Sequence, residues 1–240
     1  MATVRERART QRSVPVSTPK FVTEDAELPP ICDCELSEGE AREALRQLEE
    51  GWVRGCTRCG LHTGRKQTVF GEGCARPGIV FVGEGPGADE DAQGRPFVGR
   101  AGQLLTRMIA AMTLTRDQVF ICNVVKCRPP GNRTPTDDEA ETCWPYLARQ
   151  LAILRPKVIV ALGRPATQTL LQTNAPIGRL RGEFQEFPPL AWQQLGLPKV
   201  PVMPTFHPAY LLRSPGEKGK AWEDLKQVMR YLNIPIPTTR

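Results

Sequence analysis

Cys56 and Cys59 stand as a C-x2-C pair, and far downstream Cys127 and Cys143 form a wider pair with fifteen residues between them. Two such pairs suit a four-thiolate metal or iron–sulfur site better than a disulfide framework. Zinc fits four thiolates almost as well as iron–sulfur at this level. A second concentration of chemistry lies in VGEGPGADED, where Glu84, Asp89, Glu90 and Asp91 crowd one mouth. Phosphates would be poorly served there. Carboxylates so placed suit the positioning of a water, or the stabilisation of a cationic sugar as a glycosidic bond breaks. Gly83, Gly85 and Ala88 loosely satisfy a dinucleotide fingerprint, but Pro86 sits inside the turn and no acidic residue ends the following strand. GRPFVGRA (94–101) misses the phosphate loop because it lacks the Lys and the Ser/Thr.

The elements that must position these residues alternate regularly. Apolar, β-branched runs at 78–83, 118–125, 157–163 and 200–206 predict buried strands. Helical spacing at 100–113, 136–154, 164–173 and about 219–232 separates and follows them. The pattern predicts an α/β fold, a three-layer α/β/α sandwich around a central four-stranded parallel sheet. In such sheets ligands bind beyond the carboxyl ends of the strands, and every polar motif falls at such an end. Another helix is predicted from Ser37, with Ala41, Ala44, Leu45 and Leu48 at helical spacing, leading to the Cys56/Cys59 knuckle.

Residues 1–36 read as a disordered or extended basic arm, with Arg5, Arg7, Arg9, Arg12 and Lys20 among Ser, Thr and Pro. Cys32 and Cys34 close it without obvious partners. Residues 37–240 are expected to form one domain. The chain of 240 residues has no membrane-spanning apolar run and no signal-peptide pattern at its start, so a cytoplasmic, nucleoid-associated monomer is expected. A net charge of +6 permits a polyanionic partner without demanding one.

The ordered set GEGPGADED, GRPFVG, NVVKCRPPGNR and HPAYLL, with cysteines at 56, 59, 127 and 143, resembles the family 4 (iron–sulfur) uracil-DNA glycosylases over about residues 52–232. The resemblance implies a monofunctional DNA-repair hydrolase that flips uracil out of single- or double-stranded DNA and leaves an abasic site. It also implies a structural [4Fe-4S] cluster on Cys56, Cys59, Cys127 and Cys143. Asn123 would read the N3–H and O4 edge of uracil. Phe97, expected in an exposed loop, would stack on the base. His207 would donate to uracil O2 as the base departs as an anion. Gly85 stands where better-known glycosylases carry Asp, so the water falls to a carboxylate: Glu90 is expected to position it, and Glu84 to shape the pocket. Asp89 and Asp91 are expected to be solvated. Leu211 and Leu212 would enter the minor groove, and Arg213 would hold a phosphate. Lys126, Arg128, Asn132 and Arg133 would contact the DNA backbone. His62 is expected beside the metal rather than on it, and Cys74 and Cys122 as buried fillers. Two other readings compete. A relative that captures uracil covalently would carry a histidine in the 124–136 segment, which holds none. A non-catalytic cluster protein would bind uracil-DNA without turnover.

Overall fold

The computed structural model describes residues 28, 29, 31, 35–189 and 197–237. Cys32, Cys34 and the Arg5–Lys20 basic run lie outside the described residues. Ser37 caps the first helix, α1 (Glu38–Leu48), through a reciprocal capping box with Glu40. The chain then alternates through β1 (Glu72–Gly73), β2 (Ile79–Gly83), α2 (Ala88–Gln93), α3 (Arg100–Ala111), β3 (Phe120–Asn123), α4 (Asp137–Leu154), β4 (Val158–Leu162) and α5 (Arg164–Leu171). It ends through α6 (Ile177–Leu180), β5 (Gln185–Phe187), β6 (Val200–Thr205), α7 (Pro208–Arg213) and α8 (Lys218–Tyr231).

The sheet has six strands in the order β1-β3-β2-β4-β6-β5. The inner pairings β3–β2, β2–β4 and β4–β6 are parallel. β1 and β5 close the edges antiparallel, an addition to the four strands expected. Both are too short, and too polar or glycine-bearing, to stand out as apolar runs. Alternation along β2 divides the core. Val80 and Val82 pack with residues of α1 and α4 on one face, and Ile79 and Phe81 with residues of α3 and α8 on the other. Leu28 is buried in the first of these clusters, and Arg149 Nε donates to the Pro29 carbonyl at 2.6 Å. Leu28 and Pro29 therefore touch the body ahead of Ser37, one through the apolar cluster and the other through Arg149 of α4.

Parallel pairing puts the carboxyl ends of all four inner strands on one edge. Gly83 lies opposite Asn123 in the β2–β3 register, and Leu162 opposite Thr205 in the β4–β6 register. His207 follows two positions after Thr205 and caps α7, its Nδ1 accepting the Ala209 N–H at 3.1 Å. Asn123 and His207 thus lie on the same edge of the sheet, with β2 and β4 between their strands, although far apart in sequence.

Candidate active site and thiol centre

A cavity of about 550 Å³ opens at this edge, and Glu84, Gly85, Glu90, Phe97, Asn123 and His207 all line it. Asn123 is 1% exposed, and its Oδ1 is a buried acceptor without a hydrogen-bond partner among the described residues. A buried polar atom left so costs about 1–3 kcal/mol, so the site is poised for a ligand N–H. Gly83 makes the arrangement possible. A Cβ there would lie 2.4 Å from Asn123 Oδ1 and 2.5 Å from the Phe97 ring.

Phe97 is not in an open loop. It is 6% exposed, packs with Phe81 and Leu105, and its ring centroid lies 5.7 Å from that of His207. The Gly94–Pro96 approach suggested exposure because the sequence does not reveal that α3 and β2 close over the ring. Its backbone is left-handed, with φ 53°.

His207 sits half-buried in the cavity wall. Burial first, then the Arg213 charge, push its pKa down to about 4, against a smaller opposing pull from Glu90. The ring is therefore neutral at ordinary pH. Because Nδ1 accepts from Ala209, the hydrogen-bond network assigns the proton to Nε2, which leaves a donor. Gly163, with φ 87°, lets β4 approach: a Cβ there would stand 2.8 Å from the His207 Cβ.

The carboxylates divide the work differently from their sequence clustering. Glu90 Oε1 accepts the Val98 and Gly99 N–H groups, both at 2.9 Å, and Oε2 accepts that of Gly87 at 3.1 Å. Asp91 is 1% exposed and accepts the Lys66 N–H, so the expectation of a solvated Asp91 is corrected. It is spent on tying the 66–67 segment to α2, whereas Asp89 is exposed. Glu84 lines the cavity near Gly85, whose Cβ would lie 2.7 Å from Val125. An Asp at position 85 would have to displace that valine.

Two expected DNA contacts are corrected. Lys126 is 1% exposed, and its Nζ donates to the Asn123 carbonyl at 2.7 Å and to Gln150 Oε1. It supports the strand end from inside, out of reach of any phosphate. Leu211 is 1% exposed and packs with Leu104 and Ala221, since the first turn of α7 must bury one apolar side against α3. Leu212 packs more loosely on the same cluster. Tyr210, which no sequence signal singles out, is exposed at the cavity rim, as is Arg100. Arg213 is exposed at the rim too. Arg128 donates to Asn132 Oδ1 at 2.7 Å within its own loop, and Arg133 pairs with Glu139 in the first turn of α4 at 2.6 Å.

Cys56, Cys59, Cys127 and Cys143 line one small void together with His62, Arg65, Lys126 and Tyr146. Donors already point at the sulfurs. Tyr146 Oη lies 3.2 Å from Cys56 Sγ, Arg65 Nη1 3.1 Å from Cys127 Sγ, and the Lys126 N–H 3.3 Å from Cys143 Sγ. His62 turns its Nδ1 to the Cys59 carbonyl at 2.7 Å. Burial pushes the Cys59 and Cys127 thiols up, and that of Cys143 up to about 12, so a bound cation is what would hold them as thiolates. Burial pushes the Lys126 pKa down, while the sulfurs of Cys122, Cys143 and Cys127 pull it the other way. No group of three or more described His, Cys, Asp or Glu side chains forms a ready-made single-ion site. The donor set nonetheless fits a thiolate-bound centre. Cys122 is fully buried, whereas Cys74 is half-buried and its sulfur accepts the Arg76 N–H.

The family model described as "Uracil DNA glycosylase superfamily" matches residues 70–226, which span the whole sheet and the cavity. Similar proteins narrow the class further. The chain is 49% identical over 194 residues to the type-4 uracil-DNA glycosylase of Thermotoga maritima, covering 80% of this chain and 96% of that one. It is 43% identical over 182 residues to that of Pyrobaculum aerophilum (75% and 91% covered), and 44% identical over 186 residues to that of Saccharolobus solfataricus (75% and 83% covered). The chain belongs to the type-4 uracil-DNA glycosylases of that superfamily.

Proposed function

We propose that the protein is a DNA-repair glycosylase that hydrolyses the N-glycosidic bond of uracil in single- and double-stranded DNA. One observation carries this reading: a buried, unpartnered amide acceptor, a ring and a neutral imidazole donor meet in one cavity with room for a nucleobase. An extruded uracil would lie on Phe97, give its N3–H to Asn123 Oδ1 and receive the Asn123 amide N–H at O4. His207 Nε2–H would donate to O2 as the C1′–N1 bond breaks, when negative charge gathers on the base and the sugar becomes oxocarbenium-like. Water adds to C1′ and its proton passes to a carboxylate and then to solvent, while the departing uracil anion takes a proton from solvent, giving free uracil and an abasic site. Among the described residues no lysine lines the cavity, which supports hydrolysis without strand cleavage.

Glu90 is the proposed water holder. Two N–H groups lock Oε1, and Oε2 keeps a lone pair free beyond its longer bond to Gly87. Glu84 shapes the adjoining wall. Glu90→Gln is expected to slow single-turnover uracil release more than Glu84→Gln does; equal or reversed losses would move the water to Glu84.

Cys56, Cys59, Cys127 and Cys143 would hold a [4Fe-4S] cluster, which when bound supplies a structural brace and no redox step. Iron and acid-labile sulfide with visible absorption, rather than stoichiometric zinc, is the expected assay result. Arg128, Arg133, Arg213, Arg100 and Leu212 would meet DNA at the rim. Arg213→Ala is expected to weaken DNA binding without changing base choice, and to lower the salt slope of binding by about one unit. The enzyme would act as a cytoplasmic, nucleoid-associated monomer.

Release of labelled uracil from single- and double-stranded oligonucleotides tests the reaction, with Asn123→Ala beside the wild type. Uracil release lost in the variant supports the reading. Tight binding of uracil-DNA without release, or a covalent adduct, would replace it with a competing one.

A further inference from the structure

Phe97 occupies a backbone conformation that L-residues rarely adopt, at φ 53°. Left-handed backbone at a bulky residue persists only where the surroundings over-determine it. Here they do so from both sides of the peptide chain. Glu90 takes the N–H groups that follow the ring, at Val98 and Gly99. The carbonyls of Pro96 and Phe97 face the other way, and a single side chain gathers both. Arg116 donates from Nη2 to the Pro96 carbonyl at 2.7 Å and from Nη1 to the Phe97 carbonyl at 3.1 Å. The same guanidinium reaches Thr106 Oγ1 on α3 at 3.2 Å.

Arg116 is itself held. Its Nε and Nη2 donate to Glu72 Oε1 at 3.1 and 2.6 Å, and Arg95 Nε grips Glu72 Oε2 at 2.7 Å. Glu72 is half of the two-residue edge strand β1. Its neighbour Gly73, at φ 129°, allows that strand to press on β3: a Cβ there would lie 1.9 Å from the Val119 carbonyl oxygen. Gly102 does the same for α3, where a Cβ would lie 1.8 Å from the Phe97 carbonyl oxygen. The short edge strand, otherwise unexplained by the chemistry, thus delivers one carboxylate to one guanidinium behind the ring.

We propose that Arg116, braced by Glu72, is a positioning residue that sets the Phe97 ring in the base pocket. The inference rests on the reading that Phe97 stacks on the extruded base. Arg116 does not line the cavity; it acts through the 96–97 carbonyls. A planar fork is required, because a lysine ammonium cannot reach two carbonyls, a hydroxyl and a carboxylate in one plane.

A double-mutant cycle tests it, with single-turnover uracil release and affinity for a duplex carrying non-cleavable 2′-fluoro-deoxyuridine as the two readouts. Phe97→Ala is expected to weaken both by about tenfold or more. Arg116→Ala is expected to produce a similar loss alone, and less than about threefold further loss in the Phe97→Ala background. Affinity for undamaged duplex should stay unchanged in all variants. If the two losses instead multiply in full, Arg116 acts independently of the ring and the proposal is overturned. If Phe97→Ala alone loses nothing, the stacking reading fails first and the proposal falls with it. Should Arg116→Ala not fold, Arg116→Lys and Glu72→Gln carry the same cycle: losses shared with Phe97→Ala support the proposal, and losses that multiply in full overturn it.

Discussion

Replacing His207 with alanine is expected to slow uracil release by about 10²–10³-fold, with little change in affinity for uracil-containing DNA. The effect belongs to the transition state. Uracil O2 is a weak acceptor while the base is still bonded to the sugar and a strong one as charge builds on the leaving ring, so the Nε2–H bond tightens only as the bond breaks. The proton is in place beforehand, because Ala209 N–H occupies Nδ1 and burial keeps the ring neutral. The acid limb of the rate that belongs to His207 should lie near pH 4, not near the usual histidine value. Stability carries the complementary sign. The folded pKa is depressed, so the unfolded chain takes up the proton first; stability should fall as pH drops from about 6.5 and level off below the folded value of about 4. Melting curves across that window should show a shallower slope for His207→Ala. A variant that keeps wild-type single-turnover rates would remove the imidazole from the mechanism.

Gly83→Ala is the second large effect, and it should separate activity from folding. The glycine lies within β2 without a left-handed φ, so the backbone accepts alanine. The space does not. The added carbon would meet Asn123 Oδ1 at 2.4 Å and the Phe97 ring at 2.5 and 2.7 Å, forcing the base reader and the stacking ring apart. A displacement of about 1 Å at such groups costs about 10²-fold in rate. The expected result is that loss in kcat/KM with a melting temperature lowered by only a few degrees, about the shift of one overpacked methyl. Unchanged turnover would mean that Asn123 and Phe97 do not need the positions the fold assigns them.

Helix and strand periods were legible because they are local. The runs at 78–83 and 157–163 match β2 (Ile79–Gly83) and β4 (Val158–Leu162), and 136–154 matches α4 (Asp137–Leu154), to within a residue or so at each end. The motif order also carried the amide, the ring, the imidazole and the four cysteines, all of which the fold gathers at two places. Side-chain direction was not legible. Lys126 sits in a basic run and reads as a phosphate contact, yet β3 turns it inward to the Asn123 carbonyl. Leu211 and Leu212 look alike in sequence, and only the seating of α7 on α3 decides which one is buried.

The amino-acid sequence by itself determined the alternating α/β order and the thiol quartet, since residue type and spacing encode them directly; the groups that would face a base were named by the resemblance of its motifs to a family. Only the tertiary structure decided that β1 exists, that Glu90 is gripped by three backbone N–H groups, and that Arg116 stands behind Phe97. Those contacts join segments whose proximity depends on strand order and helix seating, and no period within a single segment reports which distant segment lies against it.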